Sequence, residues 1–316
     1  MRVAILDDYL NSARQVADWR PLDGRAEIVV FSDYLGRDEA KIARSLADFE
    51  VIVGMRERTP FPRSLIERLP KLKLLITTGM RNASFDLDAA AAQGVTVCAT
   101  QSEATSTVEL TWALIHALAR DIPGQHASMR AGGWQTWIGH RLGGSTLGLL
   151  GLGRIGQQVA AIGKLFGMEV LAWSQNLTVE KAAEAGATRV EKADLFRRAD
   201  VLSVHLVLGQ RSRGLVGAAE LGLMKPSAVL VNTSRGPIVD AAALVETLRA
   251  KRIRGAGIDV YDVEPLPQDD PLRSLDNVVL TPHVGYATQE NYATMYTQVV
   301  EDIVAWMDGK PIRVIA

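Results

Sequence analysis

The sequence predicts an α/β protein built from two successive series of strands and helices. Short apolar runs typical of strands alternate with helical patterns along almost the whole chain. This alternation indicates parallel sheets that are covered by helices on both faces. A length of 316 residues fits two domains, and 47% hydrophobic residues supply enough apolar side chains for sizeable cores.

The first hundred residues contain five strand patterns and three helix patterns. Pro62 suits a first helical turn, because its missing N–H would have no partner there, and Gly94 suits the position after a helix end. The predicted strands are residues 3–6, 27–31, 51–53, 72–77 and 95–98, and the predicted helices are residues 38–47, 62–69 and 85–93.

A long apolar helix over residues 105–120 leads into the second series, and Pro123 with Gly124 is expected to end it. We expect the last helix and the tail to return to the first domain. The chain then divides into a domain of residues 1–100 and 286–316 and a domain of residues 101–285. The second series has predicted strands at 146–150, 169–173, 201–207, 229–232, 256–260 and 278–280, and predicted helices at 154–166, 179–185, 241–251 and 289–307.

A glycine-rich turn follows the strand at 146–150. Gly151, Gly153 and Gly156 form the pattern G-x-G-x-x-G between a strand and a helix. The first glycine permits a tight turn, the second lets the backbone approach a pyrophosphate, and the third allows close helix–strand packing. A plain turn is the alternative, but the strand–turn–helix context favours a dinucleotide-binding Rossmann unit.

The residues after the next strand are expected to face the ribose of that dinucleotide. An acid is typical there, but this chain has Ser174, Gln175 and Asn176. The missing acid favours NADP over NAD, because a carboxylate would repel a 2′-phosphate. No Arg or Lys stands at these three positions either, so NAD stays open and Arg154 is the candidate cation. The three residues are equally compatible with a simple turn.

Arg235, Glu264 and His283 each follow an apolar strand in the last third of the chain. Because ligands bind beyond the carboxyl ends of strands in an α/β sheet, we expect these side chains to converge. An arginine can hold a carboxylate at two points, and a histidine braced by a carboxylate can transfer a proton near neutral pH. With the dinucleotide fingerprint, the trio predicts hydride transfer to and from a 2-oxo acid.

The residues alone leave two assignments open. Asp259 and Asp262 compete with Glu264 for the role of histidine partner, and Asp259 at the strand end could instead contact the nicotinamide amide. His205, directly after the apolar run VLSV of residues 201–204, either lines the cofactor pocket or caps a strand.

Charge and cysteine content exclude several other classes of function. A net charge of −1, with dispersed basic residues, gives no electrostatic case for nucleic acid or an anionic membrane as partner. The single cysteine, Cys98, excludes an intrachain disulfide and a multi-cysteine site, so we expect it to be buried packing and expect no metal. No apolar stretch reaches the roughly 20 residues that span a bilayer. Without a signal peptide, a cytoplasmic protein is expected.

These features resemble the D-isomer-specific 2-hydroxyacid dehydrogenase family. The resemblance covers nearly the whole chain and is most specific over residues 224–288, which contain MKPSAVLVNTSRGPIVD, GAGIDVYDVEPLP and NVVLTPHVGYAT. It implies a Rossmann cofactor domain with a discontinuous, flavodoxin-like substrate domain. It also implies a homodimer, with residues 105–120 near the interface and hinge.

The resemblance implies roles for individual residues. It makes Arg235, Glu264 and His283 the catalytic set, which decides for Glu264 over its acidic neighbours. The expected substrate contacts are Met80, Arg81, Arg235 and His283. The resemblance places Arg154 and Ile155 at the pyrophosphate and Asp259 by the nicotinamide. With the residues taken from the sequence pattern itself, the full set of expected cofactor contacts is Gly151, Gly153, Arg154, Ile155, Gly156, Ser174, Gln175, Asn176, His205, Thr233 and Asp259.

Arg81 and Asn82 stand where this family usually has smaller or apolar residues, which favours a substrate with a second anionic or polar group. We therefore expect an NAD(P)-dependent oxidoreductase for a small D-2-hydroxy acid of the phosphoglycerate, glyoxylate/hydroxypyruvate or sugar-acid type. Formate oxidation is disfavoured, because similar formate enzymes carry Gln where Glu264 stands. The alternatives are a dinucleotide-sensing protein similar to the corepressors of this fold, and a Rossmann domain with other chemistry, such as methyl transfer.

Overall fold

The computed structural model describes residues 1–316 and divides into two compact units. Unit 1 consists of Met1–Glu103 and Ala287–Ala316, and unit 2 is Ala104–Tyr286. Each unit is built on its own parallel sheet, so the predicted α/β class is confirmed. No helix combines the length and the apolarity that crossing a membrane requires.

Unit 1 contains a five-stranded parallel sheet in the order β2-β1-β3-β4-β5, which is the flavodoxin-like order. The strands are β1 Arg2–Ile5, β2 Glu27–Val30, β3 Val51–Gly54, β4 Leu74–Thr77 and β5 Thr96–Ala99. The helices are α1 Ala13–Val16, α2 Glu39–Leu46, α3 Arg63–Ile66, α4 Leu87–Ala92 and, from the end of the chain, α12 Gln289–Met307.

The local sequence explains these elements. All residues of β3 and β4 are buried, as expected of strands covered on both faces. The Asp38 side chain accepts hydrogen bonds from the backbone N–H groups of Ala40 and Lys41 and so begins α2. Gly94, two positions after the end of α4, has φ +71°, which agrees with its predicted place beyond a helix end.

The tail of the chain lies along the edge of the unit 1 sheet. The Val97 N–H donates to the carbonyl of Ala316 at 2.7 Å, and the Ile315 N–H donates to the carbonyl of Val97 at 2.8 Å. Val314 forms an antiparallel bridge with Cys98. Cys98 is fully buried, as expected, and burial raises the pKa of its thiol to about 12.

Unit 2 contains a seven-stranded parallel sheet in the order β12-β11-β10-β9-β6-β7-β8. The chain runs outward from β6 to β8 and then returns to the other side of β6 at β9, which is the Rossmann arrangement. The strands are β6 Thr146–Leu150, β7 Glu169–Trp173, β8 Thr188–Arg189, β9 Val201–Val204, β10 Val229–Asn232, β11 Gly255–Ile258 and β12 Val278–Leu280. The helices are α5 Thr105–Arg120, α6 Ile122–Arg130, α7 Arg154–Leu165, α8 Val179–Glu184, α9 Lys192–Arg198, α10 Ala218–Leu221 and α11 Ala241–Arg249.

The segment after α5 contains a helix that the sequence did not predict. Asp121 adopts a left-handed conformation with φ +47° and ends α5, but a second helix, α6, begins at the next residue. Pro123 lies in its first turn, where the missing N–H costs no hydrogen bond. The strand predicted over 201–207 ends earlier, at Val204.

Candidate active site

The three predicted catalytic residues follow three adjacent strands of unit 2. Arg235 follows β10, Glu264 follows β11 and His283 follows β12, and β11 pairs in parallel with both of its neighbours. The loops that carry these residues therefore leave the sheet at the same edge, where ligands bind in α/β folds.

His283 and Glu264 form a short hydrogen bond. The distance between His283 Nδ1 and Glu264 Oε2 is 2.6 Å, and the two side chains are only 14% and 24% exposed. A carboxylate accepts but does not donate, so Nδ1 carries the hydrogen and Nε2 is the ring atom left for proton transfer. Of the three acids considered from sequence, Glu264 rather than Asp259 or Asp262 contacts the imidazole.

Asp259 anchors the loop that carries His283. Its fully buried carboxylate accepts hydrogen bonds from Thr281 Oγ1 at 2.6 Å, the Val284 N–H at 2.8 Å and the Gly285 N–H at 2.9 Å. Burial raises the pKa of Asp259 even though these bonds oppose the rise. His283 itself has φ +53°, a conformation that residues other than glycine seldom adopt. The anchored loop holds it there, while the expected nicotinamide contact of Asp259 stays a prediction.

Arg235 and Thr233 lie on the loop after β10. The Arg235 Nη1 donates to the carbonyl of Ser234 at 2.7 Å, and the Arg235 carbonyl accepts from the Asn232 side chain at 3.0 Å. The hydroxyl of the buried Thr233 lies 2.9 Å from that of Thr111 in α5. This part of the loop is therefore tied both to the end of its own strand and to a helix beneath the sheet.

The glycine turn between β6 and α7 has the shape that a pyrophosphate needs. Gly151 has φ +108°, and a Cβ there would overlap the carbonyl oxygen of His205. A Cβ on Gly156 would overlap the carbonyl oxygen of Gly151, whereas one on Gly153 would meet no atom within 4 Å. Open space thus lies beside the N-terminus of α7, whose first two residues are Arg154 and Ile155. The turn therefore fits an anionic dinucleotide.

His205 lies beneath this turn. Its ring nitrogen Nε2 is 2.9 Å from Ser203 Oγ, and its backbone N–H donates to the carbonyl of Leu150 at 2.8 Å. Burial of the imidazole lowers its pKa to about 4, so the ring is neutral at pH 7. The histidine supports Gly151 through its backbone, and direct contact with the cofactor stays a prediction.

A groove beside the turn between β6 and α7 is lined in part by Leu177, from the loop after β7, and by Lys181, a cation missed from the sequence. Ser174 is half-buried, and Gln175 and Asn176 are exposed. Lys181, in the first turn of α8, was missed because only positions directly after the strand were considered. The groove is lined by Leu152, Gln157, Leu177, Lys181, Glu184 and Ala185.

The predicted substrate residues of unit 1 lie on the loop after β4. Met80 is 51% exposed and Arg81 is also exposed, whereas Asn82 is buried and donates to the carbonyl of Arg56 at 2.6 Å. The Arg56 guanidinium lies against Gly79, where a Cβ would overlap it. Arg56 is a second cation beside this loop, and its place directly after an apolar strand was the available sequence signal.

Known proteins match the chain over these same elements. The sequence model of the family described as "D-isomer specific 2-hydroxyacid dehydrogenase, NAD binding domain" matches residues 112–285. The chain belongs to the D-isomer-specific 2-hydroxyacid dehydrogenase family. Membership confirms the predicted family and Rossmann fold, and it confirms a nicotinamide dinucleotide as the class of cofactor.

Individual members of the family are similar over most of the chain. A glyoxylate reductase of Aeropyrum pernix is 40% identical over 256 residues, which are 78% of this chain and 76% of that protein. A D-3-phosphoglycerate dehydrogenase of Methanocaldococcus jannaschii is 35% identical over 303 residues, covering 89% of this chain but only 58% of that longer protein.

Among solved structures, a phosphoglycerate oxidoreductase from Vibrio cholerae superposes with a TM-score of 0.92. It is 38% identical, and the match covers 98% of this chain and 99% of that one. These named relatives are dehydrogenases and reductases, so the family places the chain among enzymes and does not favour a corepressor-like binding protein.

Proposed function

We propose that this protein is an NAD(P)-dependent oxidoreductase that interconverts a small 2-oxo acid and the corresponding D-2-hydroxy acid. The observation that carries the proposal is the hydrogen-bonded pair of His283 and Glu264, with Arg235 on the loop of the adjacent strand. The pair can give and take a proton, and the guanidinium can bind a carboxylate.

Each residue of the trio has a defined task in this reaction. When held at the turn between β6 and α7, a nicotinamide dinucleotide would supply the hydride for reduction at C2 of the substrate and would accept it in oxidation. Arg235 binds the substrate carboxylate and orients C2. During reduction, protonated His283 gives the proton on Nε2 to the C2 oxygen, and Glu264 holds Nδ1–H before and after the transfer. The same Nε2 takes the proton back during oxidation.

A substrate panel tests the proposed reaction. The absorbance of reduced dinucleotide is followed with glyoxylate, hydroxypyruvate, its 3-phosphate, pyruvate and sugar-derived 2-oxo acids, each with NADH and NADPH. We expect turnover of at least one acid. We also expect His283→Gln to lower kcat by about 10²- to 10⁴-fold while dinucleotide binding persists. Dinucleotide binding without turnover of any acid would instead support a sensing protein.

We further propose that the substrate has a second anionic or polar group, as in a phosphoglycerate or a sugar acid. Arg81 and Arg56 on unit 1 support this, together with the family assignment of Met80 and Arg81 to the substrate. Arg81→Ala should raise KM for phosphorylated acids by about tenfold or more, the effect of one lost charge-assisted hydrogen bond, while the exposed Arg68→Ala should not. An equal rise for pyruvate would contradict this substrate class.

For the cofactor we propose NADP in preference to NAD. Ser174, Gln175 and Asn176, directly after β7, offer no carboxylate to repel a 2′-phosphate, and Lys181 and Arg154 are the cations nearest in sequence to Ser174 and the glycine turn. Thermal-shift titrations should give a lower Kd for NADPH than for NADH. Lys181→Ala should weaken NADPH binding alone, whereas Arg154→Ala should weaken NADPH binding more than NADH binding, because Arg154 also lies at the turn that would hold the pyrophosphate of both. Tighter binding of NADH would refute the preference.

We also propose that the chain forms a homodimer. Four large apolar side chains are exposed within residues 122–138, on α6 and the segment that follows, and burial of apolar side chains is the main driving force of most protein–protein association. They are Ile122, Met129, Trp134 and Ile138, which are 54%, 53%, 72% and 90% exposed. Light scattering should show a dimer that Trp134→Ser with Ile138→Ser dissociates.

A further inference from the structure

Tyr261 lies on the loop that carries Glu264 and also contacts the loop that carries His283. Its backbone N–H donates to Glu264 Oε1 at 2.9 Å, the carboxylate oxygen that does not hold His283. Its phenol O–H shares its single hydrogen between the carbonyl of Ile258 at 3.0 Å and the carbonyl of Thr281 at 2.9 Å. The Thr281 carbonyl also accepts the N–H of His283 at 3.0 Å. Tyr261 is thus bonded to Glu264 directly and to the His283 loop through Thr281.

The third loop meets Tyr261 at Gly236, the residue after Arg235. A Cβ on Gly236 would lie 2.5 Å from the Tyr261 carbonyl oxygen and 2.6 Å from the Asp262 nitrogen, and it would overlap the Tyr261 carbonyl carbon. The φ of Gly236 is not left-handed, so close approach, rather than an unusual dihedral angle, requires glycine here. Any side chain would push the Arg235 loop away from the Glu264 loop.

We propose that Tyr261 and Gly236 are positioning residues that hold Arg235, Glu264 and His283 in mutual register. Neither has to touch the substrate. The three catalytic side chains lie on loops beyond the ends of the strands, where the hydrogen bonds of the sheet no longer align them. Because a misplacement of about 1 Å can cost about 10²-fold in rate, a shared contact among the loops has direct catalytic value. Burial raises the pKa of the Tyr261 phenol, so the phenol keeps its hydrogen and donates at neutral pH and above it.

The inference rests on the proposed function, and two substitutions test it. Gly236→Ala separates two loops, and Tyr261→Phe removes only the phenol bonds. We expect kcat/KM to fall about 100-fold in Gly236→Ala and about five- to tenfold in Tyr261→Phe, with the dinucleotide Kd changed less than about threefold. The matched control is Gly209→Ala, because a Cβ at Gly209 meets no atom within 4 Å, and it should leave kcat/KM unchanged.

A readout that needs no turnover separates this inference from the proposed reaction. The chain has five histidines, so the ring nitrogen NMR signals of His283 can be assigned by their loss in His283→Gln. In the native protein, Glu264 holds the ring with hydrogen on Nδ1. In Gly236→Ala and Tyr261→Phe, we expect these signals to move toward those of mixed tautomers, while the other histidines keep theirs.

The outcomes are distinguishable. A moved His283 signal in variants of a native protein that turns over no acid would support the positioning role and refute the proposed reaction. An unchanged signal with unchanged kcat/KM would overturn the positioning role, as would a dinucleotide Kd that rises in parallel with the loss of activity. If Gly236→Ala does not fold, Tyr261→Phe decides by the same two measurements.

Discussion

At the scale of single residues, burial outweighs pairing for the carboxyl group of Asp302. The side chain is fully buried and lies 2.9 Å from the Arg313 guanidinium. Burial nevertheless raises its pKa from 3.8 to about 7. Between about pH 4 and pH 7, the folded protein therefore keeps a proton that the unfolded chain has released. Stability should fall as the pH rises through this window.

Asp302→Asn should remove that loss, because an amide does not titrate. We expect the melting temperature of the variant minus that of the native protein, measured by calorimetry, to increase as the pH rises from about 4 to about 7. Glu301→Gln is the matched control, since Glu301 also pairs with Arg313 but is 50% exposed, and its curve should run parallel to the native one. Parallel curves for Asp302→Asn would contradict this account.

The identity of the histidine partner shows where sequence reasoning ended at this scale. Position after a strand predicted that an acid near residue 260 would meet His283, but three acids satisfied that condition. The choice depends on how the loop after β11 folds back, which the Tyr261 N–H on Glu264 and the burial of Asp259 determine. No periodicity encodes such a loop, so the family resemblance was needed to choose Glu264.

At the scale of elements, the turn between β6 and α7 should separate two kinds of glycine. Gly151→Ala places a Cβ at φ +108° and against His205, so it should lower the melting temperature of the cofactor-free protein and abolish dinucleotide binding. Gly153→Ala meets no protein atom and should leave that melting temperature unchanged. Its methyl group should still raise the Kd of the dinucleotide by about tenfold or more, because it occupies space that a pyrophosphate needs.

Thermal melting without cofactor and fluorescence titration with reduced dinucleotide measure the two effects. The glycine assignments would be wrong if both variants lost the same stability, or if Gly153→Ala bound dinucleotide normally.

Long apolar patterns predicted elements well, and short polar ones did not. The bounds of α5 and β6 agree with the predicted ranges because their apolar residues form uninterrupted signals. Helix α9 was missed, since its sequence KADLFRR is mostly polar and Leu195 and Phe196 alone are buried in it. Helix α6 was missed because Pro123 and Gly124 indicate a helix end as readily as a helix start.

At the scale of the molecule, the pattern of apolar residues could not predict the order of the strands in either sheet. Both sheets place β-strands that are distant in sequence side by side, as with β6 and β9, and packing of the covering helices determines such pairings rather than any local signal. The resemblance to a family supplied the flavodoxin-like and Rossmann orders that the structure contains.

Unit 2 should fold and bind dinucleotide without unit 1. Its residues 104–286 are continuous, they include all seven strands of one sheet, and the hydrophobic clusters on the two faces of that sheet lie wholly within them. We expect a fragment of these residues to melt cooperatively and to bind reduced dinucleotide with a Kd within about tenfold of that of the full chain.

The same fragment should turn over no 2-oxo acid, because the proposed substrate contacts Met80 and Arg81 belong to unit 1. Circular dichroism, fluorescence titration and the substrate panel measure these outcomes, and the fragment carrying Gly151→Ala is the control for specific binding. Turnover by the fragment at the rate of the full chain would refute the proposal that unit 1 supplies substrate contacts that the reaction needs. A fragment without a cooperative transition would show instead that unit 2 depends on unit 1 for its fold, since its own clusters would then be too small to stabilise the sheet.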